Sequence, residues 1–131
     1  MAFNVMIVDD SPSMRKVIRR VLTLSGFNVG KCLEAGDGVE ALELLETEWM
    51  DVIMTDINMP RMNGQQLLER LLVDPVHSSI PVLVISTDRS DERMHKMLAL
   101  GARGYFTKPF APEGLAAVME SIIAEVPYAS K

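Results

Sequence analysis

The sequence predicts an α/β domain in which a five-stranded parallel sheet is covered by helices on both faces. Short apolar runs alternate five times with longer segments whose apolar residues recur at helical spacing. Alternation of strands with helices of this length is typical of parallel sheets, because each crossover places a helix on one face. The first run, residues 4–8, is apolar almost throughout, which is typical of parallel strands buried on both faces.

Each predicted element follows from a local pattern. The apolar runs predict strands over residues 4–8, 27–33, 52–55, 80–86 and 104–107. The helical spacing predicts helices from Pro12 to a stop at Gly26, from Val39 to near Trp49, around residues 67–72 with a stop at Asp74-Pro75, over 88–100, and over 112–125. In the fourth helix, Met94, Met97 and Leu98 are expected to face inward.

Length and composition indicate one ordinary domain. The chain has 131 residues, 48% of them hydrophobic, which is ample for a single core. Thirteen basic against 18 acidic residues give a net charge of −5, which argues against broad binding to nucleic acid or to an anionic membrane. Residues 1–126 are predicted to form the domain and 127–131 a short tail. One cysteine, Cys32, excludes an internal disulfide, and a cytoplasmic location is expected.

Polar residues follow four of the five predicted strands. In an open parallel sheet, the carboxyl ends of the strands lie at one edge, where ligands bind. That edge is expected to gather Asp9 and Asp10 after the first strand, Asp56 after the third, Ser86 and Thr87 at the fourth, and Thr107 and Lys108 at the fifth.

These residue types suit the chemistry of phosphate. Clustered carboxylates repel one another unless a cation lies among them, and their oxygens together with water and phosphate favour Mg²⁺. A carboxylate such as Asp56 is also a competent nucleophile toward phosphorus and would give an aspartyl phosphate. A metal ion and the Lys108 ammonium would neutralise charge on the transferring group, and the Ser86 hydroxyl could bind a phosphoryl oxygen.

The turn Gly36-Asp37-Gly38 nearly matches a dinucleotide-binding fingerprint, since Ala41 completes the pattern G-x-G-x-x-A. It follows the second strand rather than the first, and Asp37 would face a pyrophosphate. A turn that caps the next helix is the favoured interpretation.

Four segments in order, MIVDDS, TDINMPRMNG, IPVLVIS and GYFTKPF, resemble those of response-regulator receiver domains of the free-standing, CheY-like kind. The resemblance covers essentially the whole chain. It implies a flavodoxin-like, doubly wound (βα)5 fold with strand order 2-1-3-4-5. It also implies a phosphorylation-dependent switch of a two-component (phosphorelay) system, whose phosphoryl donor is a sensor histidine kinase or a phosphotransfer protein.

The resemblance also implies roles for individual residues. Asp56 matches the phosphoryl acceptor, and Asp9, Asp10, Asp56 and the main-chain carbonyl of Asn58 match the magnesium ligands. Lys108 matches the lysine at the acceptor.

Further positions match the residues that respond to the phosphoryl group or tune its lifetime. Ser86 matches the hydroxyl that follows the phosphate, and Tyr105 the aromatic side chain that changes rotamer. The bond between Lys108 and Pro109 matches one that is cis in the family. Modulating positions are Thr87, Asn58 and Asp88. Thr87 stands where the family usually has alanine or glycine, and its bulk predicts slower loss of the phosphoryl group.

The expected partners are proteins. Output would run through the surface of the fourth helix, fifth strand and fifth helix, and the resemblance suggests a chemotaxis or flagellar target. No direct contact with nucleic acid or membrane is expected. A monomer is expected, and dimerisation on phosphorylation is left open. Catalysis would be limited to self-phosphorylation from a donor and autodephosphorylation.

Three alternatives remain open at this point. The chain could be a Mg²⁺-dependent phosphatase acting through an aspartyl phosphate, although such enzymes of the haloacid-dehalogenase type usually have an acid where Asn58 stands. It could be an interaction module whose output ignores phosphate. Thr87 rather than Ser86 could supply the hydroxyl, although the spacing to Lys108 favours Ser86.

Overall fold

A computed structural model describes residues 2–125, and the predicted tail at 127–131 lies outside the described residues. The strands are β1 (Phe3–Val8), β2 (Val29–Ala35), β3 (Val52–Thr55), β4 (Val82–Ser86) and β5 (Gly104–Thr107). The helices are α1 (Pro12–Leu24), α2 (Gly38–Leu45), α3 (Gly64–Leu72), α4 (Asp91–Ala99) and α5 (Pro112–Glu125). Within residues 2–125, no helix is long and apolar enough to cross a membrane.

The five strands form one parallel sheet in the order β2-β1-β3-β4-β5, which confirms the predicted topology. The chain runs outward from β1 to β2 and then returns to the other side of β1 to form β3. Val8 at the end of β1 pairs with Thr55 at the end of β3. The next residue of each strand, Asp9 and Asp56, therefore emerges beside the other at the point where the strand order reverses.

The helices cover both faces of the sheet, and side chains that alternate along the strands fill two cores. In β1, Met6 and Val8 pack with residues of α2, α3 and α4, whereas Val5 and Ile7 pack with residues of α1 and α5. All four of these side chains are fully buried. A central strand that is apolar on both faces thus holds its carboxyl end rigidly.

The second strand and the second helix differ from their predicted bounds. β2 begins and ends two residues later than predicted, since Glu34 and Ala35 pair with the last residues of β1. α2 ends at Leu45 rather than near Trp49, and the chain leaves it in a tight turn. That turn lets Met50 become fully buried before β3 begins.

The fourth helix also begins later than predicted, at Asp91, because the Ser90 side chain accepts a hydrogen bond from the Arg93 amide and caps the helix. Of its three residues predicted to face inward, Met97 is fully buried, but Leu98 is 41% exposed. The prediction was therefore wrong for Leu98. Only one narrow face of this short helix meets the sheet.

Candidate functional site

Three carboxylates meet at the carboxyl edge of the sheet. The Asp56 amide donates to the Val8 carbonyl (2.9 Å), and this bond fixes the backbone of Asp56 beside β1. Asp9 is 1% exposed, Asp56 is half-buried and Asp10 is exposed. Asp9, Asp10 and Asp56 offer carboxylate oxygens that lie within 4.8 Å of one another. The sequence prediction that these strands bring their acids together matches this arrangement.

Lys108 bridges two of the acids. Its Nζ lies 3.0 Å from Asp9 Oδ2 and 3.0 Å from Asp56 Oδ2. Its backbone amide donates to the Ser86 carbonyl (2.8 Å), so β4 helps to position it, and the Lys108–Pro109 peptide bond is cis. These contacts place an ammonium group against the carboxylate of Asp56.

Burial and the hydrogen bonds of the cluster shift the pKa values of Asp56 and Lys108. Burial raises the pKa of Asp56 above its usual value, although the hydrogen bonds from Lys108 and from the Ile57 amide oppose this effect. Burial acts to lower the pKa of Lys108, but its hydrogen bonds to Asp56 and Asp9 outweigh burial, and the pKa is raised. Three carboxylates and one ammonium leave an excess of negative charge. Hard oxygen donors with such an excess suit a divalent cation such as Mg²⁺.

The loop after β3 is tightly packed behind Asp56. The Ile57 amide donates to Asp56 Oδ1 (2.7 Å), and the Gly64 amide donates to the Ile57 carbonyl (2.7 Å). A Cβ at Gly64 would lie 2.0 Å from the Asp56 carbonyl oxygen, so only glycine fits there. Asn58 is exposed in the same loop, two residues after Asp56. Asn58, proposed from the sequence as a main-chain ligand, thus follows Asp56 in a loop that is held in place on both sides by backbone hydrogen bonds.

A chain of hydrogen bonds leads away from β4. The buried Ser86 Oγ accepts from the Asp88 amide (3.1 Å), and the Tyr105 hydroxyl donates to the Asp88 carbonyl (2.7 Å). Burial raises the pKa of Tyr105, so its hydroxyl stays protonated as a donor at neutral pH. The Asp88 side chain accepts from the Ser90 amide and lies 3.5 Å from the Arg93 guanidinium. Ser86 and Tyr105 thus hold opposite sides of one peptide segment.

Thr87, the residue after Ser86, is exposed. Together with Lys108, Pro109 and Met14 it lines an open, largely apolar cavity of about 320 Å³ between α1 and the loop after β5. Of the two candidate hydroxyls, Ser86 is the buried one.

The sequence analysis missed two arginines, one in α1 and one in the loop after β3. Arg15 donates to the Asp9 carbonyl (2.6 Å) and to Glu34 (2.8 Å) and so ties α1 to the ends of β1 and β2. Arg61 pairs with Asp37 across a sequence separation of 24 residues. A signal existed for Arg15, because side chains of a first helical turn lean back toward the preceding strand. Arg61 carried no comparable signal.

Comparison with known proteins identifies the family. The model of the response regulator receiver domain matches residues 5–120. This chain belongs to that family. The receiver domain is 34% identical over 121 residues to a chemotaxis protein CheY homolog of Campylobacter jejuni, with 92% of each chain covered. It is 35% identical over 121 residues to the chemotaxis protein CheY1 of Helicobacter pylori, with 92% of this chain and 96% of the relative covered.

The fold comparison agrees. A high-resolution structure of the chemotaxis response regulator CheY4 of Vibrio cholerae superposes with a TM-score of 0.79 at 32% identity, over 93% of this chain and 99% of that chain. The receiver domain is a phosphorylation-dependent switch of a two-component system. Receiver domains typically bind Mg²⁺ at an acidic pocket, and this one has an acidic cluster at the corresponding sheet edge.

Proposed function

We propose that the receiver domain accepts a phosphoryl group on Asp56 from a histidine of a partner kinase or phosphotransfer protein. The observation that carries this proposal is the Lys108 Nζ at 3.0 Å from both Asp9 and Asp56, in a group of three converging carboxylates. An aspartate on the exposed surface would not need a neighbouring ammonium group to balance its charge. The proposed acceptor is the carboxylate at the centre of the sheet's carboxyl edge.

In the proposed transfer, an oxygen of Asp56 forms a bond to phosphorus while the bond from phosphorus to the donor imidazole nitrogen breaks. The imidazole leaves with that electron pair and takes up a proton from solvent. Lys108 holds the Asp56 carboxylate in place and neutralises part of the charge that the phosphoryl oxygens bring. Attack of water on the same phosphorus later returns the free carboxylate and inorganic phosphate.

Magnesium would be held by the side chains of Asp9, Asp10 and Asp56 and by the main-chain carbonyl of Asn58. The close approach of the three carboxylates supports this set, because their oxygens would otherwise repel one another. When bound, the ion supplies positive charge that stabilises the transferring phosphoryl group. Ser86, Lys108 and Tyr105 complete the proposed site.

The proposed readout uses the peptide segment at Asp88. A phosphoryl oxygen on Asp56 would accept a hydrogen bond from the Ser86 hydroxyl. Rotation of the Ser86 side chain toward that oxygen would break the hydrogen bond that Ser86 Oγ now accepts from the Asp88 amide and would release the segment at Asp88. Movement of that segment would break the hydrogen bond from Tyr105 to the Asp88 carbonyl and free the ring to turn. Because α4 follows this segment and Tyr105 lies in β5, the change would reach the surface of α4, β5 and α5.

The proposed output target is a protein of chemotaxis or of the flagellar motor. The support is that relatives 34% and 35% identical carry the names of chemotaxis proteins. We further propose a cytoplasmic protein with the receiver domain at 1–126 and a tail at 127–131. It would be a monomer before phosphorylation, and its chemistry would be limited to self-phosphorylation and autodephosphorylation.

Amide NMR spectra before and after addition of acetyl phosphate and Mg²⁺ test the switch. We expect shift changes around Asp56 and across α4, β5 and α5, and we expect the distant changes to shrink in Ser86→Ala. Changes confined to the neighbourhood of Asp56 would refute the readout. Sustained hydrolysis of an added phosphoester would instead favour a phosphatase.

A further inference from the structure

The loop between β3 and α3 contains a residue in an unfavourable backbone conformation. Arg61 has a φ of 60°, in the left-handed region that side chains other than glycine rarely adopt. This loop also carries Asp56 and Asn58, two of the proposed magnesium ligands. A strained conformation persists only where surrounding contacts determine it, and such strain is common at functional sites.

The contact that holds Arg61 is a forked ion pair. Its Nε lies 2.8 Å from Asp37 Oδ2, and its Nη2 lies 3.2 Å from Asp37 Oδ1. Asp37 is 5% exposed and also accepts from the Glu40 amide (2.9 Å), which caps α2 and fixes the carboxylate. A fixed carboxylate with two parallel hydrogen bonds gives Arg61 one well-defined orientation.

A second contact joins the same two segments. The Gly38 amide donates to the Met62 carbonyl (2.9 Å). A Cβ at Gly38 would lie 2.6 Å from Met62 Cγ, so the turn before α2 and the loop before α3 are in direct contact. The turn at Asp37 and Gly38 thus contacts the loop at two successive residues, Arg61 and Met62.

We infer that Arg61 is a positioning residue whose ion pair with Asp37 holds the loop between β3 and α3 in the conformation that binds Mg²⁺. Asn58 is exposed and lies only three residues before Arg61 in the same loop. The position of its main-chain carbonyl is therefore expected to depend on the contacts that fix the loop at Arg61. Contacts that orient metal ligands without touching the ion commonly change metal affinity by about tenfold or more. The inference rests on the proposed magnesium site.

Arg61→Gly is the sharpest test. Glycine adopts a φ of 60° without strain, so the variant should fold, while the ion pair is lost. Removal of a positive charge from this loop would by itself favour the binding of a cation. Loss of positioning predicts the opposite, a dissociation constant for Mg²⁺ that rises about tenfold. The two explanations therefore differ in the sign of the change.

The measurement is the dissociation constant of MgCl₂ alone, from amide NMR shifts during titration, with urea unfolding as a check of the fold. Arg70→Gln, which removes an exposed arginine of α3, controls for charge and should bind Mg²⁺ as tightly as the wild type or slightly more tightly. Asp37→Asn keeps a helix-capping side chain and should weaken binding. The double variant Arg61→Gly/Asp37→Asn should bind Mg²⁺ no more weakly than the single variant that binds it more weakly, because both substitutions remove the same ion pair.

Tighter or unchanged Mg²⁺ binding by Arg61→Gly, beside a wild type that binds, would overturn the positioning role and leave the magnesium site intact. Additive losses in the double variant would also overturn it. A wild type that binds no Mg²⁺ would refute the proposed site, and the inference would be refuted with it.

Discussion

Removal of the Lys108 ammonium is expected to destabilise the receiver domain in a way that Mg²⁺ reverses. Lys108 is 11% exposed and makes hydrogen bonds of 3.0 Å to Asp9 and to Asp56. A hydrogen bond to a charged group contributes about 1.5–3 kcal/mol, and loss of the shared cation leaves two carboxylates in mutual repulsion. Asp56 can relieve part of that repulsion by taking up a proton. We therefore expect Lys108→Met to lower the free energy of unfolding by about 3 kcal/mol.

Urea denaturation measures this loss. With a slope of about 1.5 kcal/mol per molar urea, the midpoint should fall by about 2 M in the presence of a chelator. At saturating MgCl₂ the loss should shrink to less than about 1 kcal/mol, because binding to the folded state stabilises it and the variant binds the ion more tightly.

Lys31→Met is the matched control. Lys31 forms an ion pair of 2.9 Å with Glu48, but its side chain is 58% exposed. Its removal should change the free energy of unfolding by less than about 0.5 kcal/mol, with or without Mg²⁺. A loss for Lys108→Met that is equally small, or one that Mg²⁺ leaves unchanged, would refute the account of the acidic cluster.

Three further predictions concern the loops around the site. Thr87→Ala should lose its phosphoryl group faster than the wild type, since a smaller side chain opens the approach of water; equal rates of decay by intact mass would contradict this. Gly64→Ala should destabilise the fold by about 3 kcal/mol or more in urea, because its Cβ would overlap the Asp56 carbonyl oxygen, and a loss under about 1 kcal/mol would contradict the packing. The hydrogen bond from Arg61 lowers the pKa of Asp37 below its usual 3.8. The ionised Asp37 carboxylate therefore stabilises the fold fully above about pH 3.8, and this stability is lost as the pH falls through the lowered pKa. The stability advantage of the wild type over Asp37→Asn should therefore narrow below about pH 4, and an advantage that persists at lower pH would count against the ion pair.

The central part of the site was predictable because it depends on strand ends. Parallel strands place their carboxyl ends at one edge, so Asp9, Asp56 and Lys108 could be brought together without knowledge of any contact. The nearly continuous apolar runs of β1 and β3 predicted buried strands. The strand order came from the resemblance to a family, not from periodicity.

The contacts that hold the loops and helices around the site in place could not be predicted. The pair of Arg61 and Asp37 joins two loops, and loop conformation depends on contacts that no local pattern records. The exposure of Leu98 depends on how α4 lies against the sheet, since the helical spacing alone does not say how much of the helix is covered. The sequence pattern therefore located the charged groups, whereas the contacts that orient these groups were visible only in the structure.

Intact mass after incubation with acetyl phosphate tests the central claim most directly. The account predicts one labile phosphoryl group on the wild type in the presence of Mg²⁺, none when Mg²⁺ is chelated, and none on Asp56→Asn, whose amide is not a nucleophile toward phosphorus. A wild type that stays unmodified, or an Asp56→Asn variant that acquires the group equally well, would contradict phosphorylation of Asp56.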